Sequence, residues 1–154
     1  MSDGLMIKAY IDIDGVLIRN SKSGPKLIPR FGRIVRYLTK NFDCYWLTTH
    51  VKQDTGSAGA VSKLGGYLKE ANISPRILDG IKPTAWRTLK TEAIDFGQPF
   101  IWLDDNPLSV EFSILHERRC LDSLVIINWQ KRSARLTVRR LKKYRKDAYR
   151  RLKN

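Results

Sequence analysis

Short apolar runs alternate with segments of helical periodicity along the chain, and this alternation constrains the fold more than any other feature. The first run, at residues 6–13, is apolar and contains β-branched residues, and its length suits a buried strand. Strands are predicted at residues 6–13, 43–47, 100–103 and 124–128, with a short additional strand at residues 76–78. Helices are predicted at residues 29–41, around 61–68, at 83–96, at 107–118 and from the N-cap Thr137 to residue 152, and residues 20–28 are predicted to form a loop. This order indicates an α/β fold whose mostly parallel sheet is covered on both faces.

Length and composition indicate one domain in a reducing compartment. The 154 residues suit a single compact domain with a buried core. Only two cysteines occur, Cys44 and Cys120, so the sequence predicts neither a disulfide framework nor a zinc cluster. No apolar run approaches the roughly 20 residues that span a bilayer, and the N-terminus lacks the features of a signal peptide. We therefore expect a cytoplasmic protein without a transmembrane segment.

Polar clusters follow three of the predicted strands, each directly after its apolar run. The clusters are Asp12-Ile13-Asp14-Gly15, Thr48-Thr49-His50 and Asp104-Asp105-Asn106. Ligands of open parallel sheets bind beyond the carboxyl ends of the strands, so these residues are expected to converge at one edge. Carboxylates placed there are costly to leave unpaired, and Mg²⁺ prefers oxygen ligands of this kind. The sequence therefore predicts a magnesium site at this edge.

Four motifs in order resemble those of the haloacid dehalogenase (HAD) superfamily. Asp12-x-Asp14-Gly15-Val16 resembles motif one, Thr48 resembles motif two, Lys90 ahead of Ala93-Ile94 resembles motif three, and Trp102-Leu103-Asp104-Asp105 resembles motif four. Their order and spacing fit over residues 6–128. Within the superfamily, the likeness is greatest to small proteins of a type that occurs beside RNA-repair enzymes. The resemblance implies a three-layer α/β/α sandwich, and the short stretches between motifs leave little room for a cap domain.

The resemblance also implies a phosphatase that works through an aspartyl-phosphate. Asp12 would be the nucleophile, and Asp14 would protonate the leaving oxygen and then activate water. Thr48 would donate its hydroxyl group to a phosphoryl oxygen, and Lys90 would neutralise negative charge on the phosphoryl group. Lys82 is the alternative lysine for this role, although the spacing to Ala93-Ile94 favours Lys90.

Metal and substrate ligands follow from the same resemblance. Mg²⁺ would be held by the Asp12 carboxylate, the backbone carbonyl of Asp14 and Asp104, while Asp105 would orient Lys90 or a metal-bound water. The roles of Asp104 and Asp105 could be exchanged. Gly15 permits the backbone bend that lets both acids of motif one reach the same phosphate. Gly15, Thr49 and His50 complete the predicted phosphate- and substrate-binding residues.

The positive charge of the chain is concentrated at its end. The formal net charge is +14, and residues 131–154 contain twelve Lys or Arg residues but one acid, Asp147. We expect residues 1–130 to form the catalytic domain and residues 131–154 to form a basic helix that packs on it or extends from it. The positive electrostatic field of residues 131–154 attracts polyanions, and nucleic acid is the predicted partner. The predicted nucleic-acid-binding residues are Arg139, Arg140, Lys142, Lys143, Lys146 and Arg150.

Three functions are compatible with these features. The first is a Mg²⁺-dependent phosphatase that acts on the phosphorylated end of a nucleic acid or on a nucleotide. The second is a phosphatase for small molecules or phosphoproteins whose basic tail localises it. The third is a non-catalytic nucleic-acid-binding protein on a HAD scaffold, which the complete set of four motifs disfavours. The sequence leaves the oligomeric state open.

Overall fold

A five-stranded parallel sheet lies at the centre of the structure, a computed structural model that describes residues 4–154 apart from the side chain of Ser133. Its strands are β1 (Lys8–Ile11), β4 (Asp43–Trp46), β5 (Ile81–Lys82), β6 (Phe100–Asp104) and β7 (Leu124–Ile126), in the order β5-β4-β1-β6-β7. Strands β2 (Ile18–Ser21) and β3 (Gly24–Leu27) form a separate antiparallel hairpin. The predicted α/β class and the predominantly parallel sheet are therefore confirmed.

Helical segments connect the strands of the described chain. The α-helices are α1 (Phe31–Asn41), α2 (Ala58–Glu70), α3 (Ser109–Glu117) and α4 (Val138–Leu152). Short 3₁₀ helices lie at Pro75–Leu78, Lys90–Ala93, Leu121–Ser123 and Arg132–Ala134. No helix within residues 4–154 has both the length and the apolar character needed to cross a membrane.

Successive side chains of the central strands enter two different cores, because strand residues alternate between the faces of a sheet. Ala9 and Ile11 of β1 lie in the larger core, whereas Tyr10 between them lies in the smaller one. The larger core also contains buried residues of α1, α2 and α4. The smaller core contains Leu115 of α3 and Ile94, which directly follows the 3₁₀ helix at Lys90–Ala93. Elements of the chain therefore pack on both faces of the sheet.

The basic helix α4 packs on the domain through one apolar stripe. Leu141 and Ala148 are fully buried in the larger core, and Val138 and Tyr144 pack against it. Thr137 caps the helix as predicted, since its hydroxyl group accepts a hydrogen bond from the backbone N–H of Arg140 at 3.2 Å. The helix is therefore part of the main core and does not extend away from it.

Two predicted elements are replaced by structures that local hydrogen bonds stabilise. Residues 83–96, predicted to be mostly helical, contain only the 3₁₀ helix at Lys90–Ala93. The Glu92 carboxylate accepts hydrogen bonds from the backbone N–H groups of Arg87, Thr88 and Leu89, and these hold the preceding segment in a loop. Residues 76–78, predicted as a short strand, belong to the 3₁₀ helix at Pro75–Leu78, and the strand follows at β5.

The predicted loop at residues 20–28 is instead most of the β2–β3 hairpin. Gly24, with a φ of 101°, adopts a backbone conformation that favours glycine at the turn between the strands. Pro25 is tolerated in β3 because this strand has a single partner and an open edge. Helices predicted to begin at Pro29 and Pro107 begin two residues later, at Phe31 and Ser109.

The burial of α4 gives a stability prediction. Leu141→Ala is expected to lower the free energy of unfolding by about 2–5 kcal/mol, because it opens a cavity in the larger core. Leu152→Ala, at a position that is 44% exposed on the same helix, is the matched control and should change it by about 0.5 kcal/mol or less. Urea unfolding followed by circular dichroism measures both. Equal, small effects would show that α4 is not part of the cooperative core.

Candidate active site

The register of the central strands brings the predicted polar clusters to one edge of the sheet. β1 lies between β4 and β6, and Ile11 is opposite Leu103 of β6. The backbone N–H of Asp12 donates to the carbonyl of Leu103 at 3.1 Å, which continues this pairing beyond the strand. Asp12, Thr48 and Asp104 therefore lie at the carboxyl ends of three adjacent strands, where parallel sheets bind their ligands.

Lys90 joins the two buried carboxylates of this edge. Its Nζ lies 2.8 Å from Oδ2 of Asp12 and 2.6 Å from Oδ2 of Asp104. Lys82, the alternative motif-three lysine, lies elsewhere and pairs with Asp43 at 2.8 Å, at the start of β4. Lys90 is therefore the lysine that contacts the predicted nucleophile.

Burial and charge raise the pKa values of Asp12 and Lys90. The pKa of Asp12 is raised to about 6, mainly because burial disfavours the ionised carboxylate, with a further contribution from the charge of Asp104. Lys90 acts in the opposite direction on Asp12. Burial lowers the pKa of Lys90, but attraction to Asp12 and Asp104 outweighs this effect, so its pKa is raised overall. The single positive charge of Lys90 thus pairs with two carboxylates, so the site can accommodate a further cation.

Asp105 completes an acidic group with Asp12 and Asp104. Each of the three residues offers a carboxylate oxygen, and these oxygens lie within 4.8 Å of one another. Both oxygens of Asp104 are engaged, one with Lys90 and the other with the backbone N–H of Asn106 at 2.9 Å. Asp105 is exposed as a residue, but its carboxyl group is partly buried, and this partial burial together with the charge of Asp104 raises its pKa. Asp105 is therefore more accessible to a metal ion than Asp104 is, which favours Asp105 as the metal ligand.

A tight turn after β1 places Asp14 at the mouth of the site. Backbone N–H groups of residues 16–18 donate to the carbonyl of Ile13, and Gly15 has a φ of 75°. Asp14 is exposed, and its Oδ2 lies 2.6 Å from Nε2 of His50. Lys63 of α2 is 3.7 Å from the other oxygen of Asp14. The two acids of motif one thus have different surroundings: Asp12 is buried against Lys90, whereas Asp14 faces solvent beside His50.

The predicted motif-two residues differ in their exposure. Thr48 is fully buried, and its hydroxyl group accepts a long hydrogen bond of 3.4 Å from the backbone N–H of His50. Thr49 is exposed beside it. His50 also contacts Asp14. The segment Thr48-Thr49-His50 is therefore connected to motif one through His50, a residue that belongs to none of the four motifs.

Two residues that sequence reasoning left without a functional role support the site. Glu111 of α3 is buried, and its carboxylate accepts hydrogen bonds from the backbone N–H groups of Lys90 at 2.8 Å and Leu108 at 3.0 Å. It therefore fixes the segment that carries Lys90. Trp129 donates from Nε1 to the carbonyl of Gly15 at 3.1 Å and holds the turn of motif one. A Glu three residues after the N-cap, here Leu108, is a capping signal, but no local sequence pattern predicts the bond of Glu111 to Lys90.

The basic helix α4 runs away from this edge. At its first turn, Arg140 donates hydrogen bonds to the carbonyls of Ala134, Arg135 and Ile126. At its last turn, Arg151 pairs at 2.8 Å with Asp122, which precedes β7. The helix is therefore antiparallel to β7, and its first turn alone lies at the carboxyl edge. Of the predicted nucleic-acid-binding residues, Arg140 is half-buried and bound to carbonyls; the exposed ones are Arg139, Lys142, Lys143, Lys146 and Arg150.

The Lys90 ion pairs give a prediction with a matched control. Lys90→Met leaves two buried carboxylates without their partner and is expected to lower the free energy of unfolding at pH 7 by about 3–5 kcal/mol. Lys82→Met removes a lysine from an exposed pair and should cost less than about 1 kcal/mol. Unfolding in metal-free buffer measures both. The difference should shrink below pH 6, where Asp12 becomes protonated; a constant difference would contradict the electrostatic cause.

Gly15 gives a second prediction. A Cβ at this position would overlap the carboxyl group of Asp105, in addition to the strain that a positive φ imposes. Gly24 also has a positive φ, but nothing lies within 4 Å of a Cβ built there. Gly15→Ala is therefore expected to destabilise the fold more than Gly24→Ala, by about 1 kcal/mol or more, since overpacking adds to the shared strain. Thermal unfolding compares them, and equal losses would exclude the collision with Asp105.

Comparisons of the chain with protein-family models, with curated proteins and with solved structures found no match. The resemblance to the HAD superfamily therefore stays a prediction from the four sequence motifs.

Proposed function

We propose that this protein is a Mg²⁺-dependent phosphohydrolase of the HAD type that acts on a phosphorylated nucleic-acid end or on a nucleotide. The observation that carries the proposal is the Asp12–Lys90–Asp104 cluster at the carboxyl edge of a parallel sheet. Its members are residues of three of the four motifs on which the resemblance is based. The proposal includes the HAD-like three-layer sandwich without a cap, with residues 1–130 as its catalytic domain.

The donor set at this edge fits a magnesium ion. Carboxylates of Asp12 and of Asp105 or Asp104 would hold it with the backbone carbonyl of Asp14, and oxygen donors are those that Mg²⁺ prefers. The raised pKa of Asp12 supports this fit, because a second cation would favour the ionised carboxylate. When bound, Mg²⁺ would neutralise charge on the phosphate oxygens.

The protein groups would divide the reaction between them. Asp12 would attack the phosphorus atom with a carboxylate oxygen, while the bond to the leaving oxygen breaks and Asp14 supplies the proton. Lys90, held by Glu111, would neutralise the charge that develops on the phosphoryl oxygens. Asp14 would then take a proton from water as that water attacks the aspartyl-phosphate and releases inorganic phosphate. The exposure of Asp14 beside His50 suits a group that exchanges protons with solvent.

A panel of phosphate esters tests the proposal and its alternatives. It contains nucleotides, 3′- and 5′-phosphorylated DNA and RNA, sugar phosphates and phosphopeptides, each with Mg²⁺ and with chelator. Phosphate release from nucleic-acid ends or nucleotides that requires Mg²⁺ supports the proposal. Release from sugar phosphates or phosphopeptides alone would favour the small-molecule or phosphoprotein alternative, and no release from any substrate would favour a non-catalytic role.

Substitutions of the two motif-one acids give the sharpest mechanistic prediction. Asp12→Asn should abolish turnover because the amide cannot form the aspartyl-phosphate. Asp14→Asn should lower kcat by about 10²–10⁴-fold, the usual contribution of a general acid–base group. Asp79→Asn, at an exposed aspartate outside the site, is the control and should retain activity. Turnover is measured on the best substrate of the panel, with circular dichroism to confirm folding. Activity in Asp12→Asn would overturn the nucleophile assignment.

A further inference from the structure

A basic cleft lies beside the candidate site, between the first turns of α1 and α4. Both helices begin at the carboxyl edge of the sheet, α1 directly after the β2–β3 hairpin and α4 after β7. The cleft has a volume of about 330 Å³. It is lined by Pro29, Arg30, Arg33, Ile34, Trp129, Arg135, Leu136, Thr137, Val138 and Arg139. We call it the arginine cleft.

The four arginines of this cleft are free to bind an anion. Arg30, Arg33, Arg135 and Arg139 are all exposed, and none of the acidic residues within residues 4–154 lines the cleft. Among the described residues, none of the four guanidinium groups forms an ion pair. Like charges held together in this way repel one another, and a ligand with several negative charges relieves the repulsion. Arginine also presents paired N–H donors that match phosphate geometry.

Trp129 connects the arginine cleft to the candidate site. It lines the cleft on one side and, on the other, a second cavity of about 290 Å³ that also contains Gly15, Asp105 and Arg19. The Nε of Arg19 is buried and has no hydrogen-bond partner within the described part of the chain. Asp105 belongs to the same acidic group as Asp12. Trp129 is thus shared by two cavities, one lined by four arginines and the other by Arg19 and Asp105, and a carboxylate oxygen of Asp105 lies within 4.8 Å of one of Asp12.

The remaining basic residues of α4 are less suited to this position. Lys142, Lys146 and Arg150 line a separate groove with Tyr37 and Asn41, at the end of α1. That groove lies toward the amino ends of the strands, because α1 ends where β4 begins. A ligand bound there would lie at the amino-terminal edge of the sheet, whereas Asp12 lies at the carboxyl edge. Arg139 is the exposed α4 residue that lies at the site edge.

We propose that the arginine cleft binds the backbone phosphates of a single nucleic-acid strand and leads its phosphorylated end past Trp129 to Asp12. This inference deepens the proposed function and rests on it for the fate of the terminal phosphate. A phosphodiester chain carries regularly spaced negative charges that several arginines can contact at once. A groove of cations with an aromatic side chain in its wall is a known arrangement for single strands, because unpaired bases stack on the ring.

Binding measurements test the cleft without requiring catalysis. The probe is a fluorescent, 5′-phosphorylated twelve-nucleotide single strand, titrated with the full-length protein in chelator at several salt concentrations. Arg33→Gln with Arg139→Gln should weaken binding by roughly tenfold or more, because two phosphate contacts are lost. The slope of log affinity against log salt should decrease by about 1.4, since each single-strand phosphate contact contributes about 0.7. Circular dichroism verifies that each variant is folded.

Two control double variants distinguish binding by the arginine cleft from attraction by the overall positive charge of the protein. Lys69→Gln with Arg76→Gln removes two exposed cations from α2 and the following 3₁₀ helix, and should leave affinity within about twofold. Lys146→Gln with Arg150→Gln removes two cations from the far groove and should weaken binding clearly less than the cleft pair. Equal losses for all three pairs, or unchanged binding in the cleft pair, would overturn the proposal. A poly-glutamate peptide that binds as tightly as the strand, with the same dependence on Arg33 and Arg139, would also overturn it.

Phosphate release from the substrate panel by the unaltered protein with Mg²⁺ reports separately on the proposed function. If no substrate of the panel releases phosphate and the cleft pair still weakens strand binding, strand binding by the cleft stands and the phosphohydrolase proposal falls. If nucleic-acid ends or nucleotides release phosphate and the cleft pair binds the strand normally, the enzyme proposal stands and the cleft proposal falls.

Discussion

The ion pairs of Lys90 are the interaction on which the candidate site depends. Two carboxylates at the ends of neighbouring strands cannot both remain buried and ionised without a cation between them. Lys90 supplies that cation, and the buried Glu111 fixes the backbone that carries it. The loop that contains Lys90 is therefore tied to the sheet by charge on one side and by hydrogen bonds to α3 on the other. These contacts fix the position of Lys90 although the segment that carries it is not a strand of the sheet.

The same arrangement explains why Asp12 and Asp14 are suited to different chemistry. They are two residues apart, yet the turn at Gly15 sends one side chain into the sheet edge and the other into solvent. The buried carboxylate loses hydration and is held by a fixed ammonium group, so its orientation is set before any substrate arrives. The exposed carboxylate lies beside His50 and can exchange protons with water. One short turn thus produces one buried carboxylate and one exposed carboxylate.

Much of this site could be predicted from the sequence, because β1, β4 and β6 lie in apolar runs that polar residues follow at once. The expectation that Asp12, Thr48 and Asp104 lie at one edge follows from the parallel order of these strands. Prediction failed where local backbone interactions decide the structure. The Glu92 carboxylate binds backbone N–H groups and prevents a helix at residues 83–96, and the positive φ of Gly24 allows a hairpin where a loop was predicted. Glu111 and Trp129 were missed because their partners lie 21 and 114 residues away, and no local pattern encodes such distant bonds.

The hydrogen bond from Trp129 to Gly15 has a consequence for how the protein is made. It joins the turn after the first strand to the segment after the last one, and the pairs of Lys90 with Asp12 also span 78 residues. Contacts of such high sequence separation require closure of long loops, so they form late in folding. During synthesis the first motif leaves the ribosome long before Lys90 and Trp129 do. The nascent chain therefore carries Asp12, the predicted nucleophile, without these contacts until Lys90 and Trp129 have been translated.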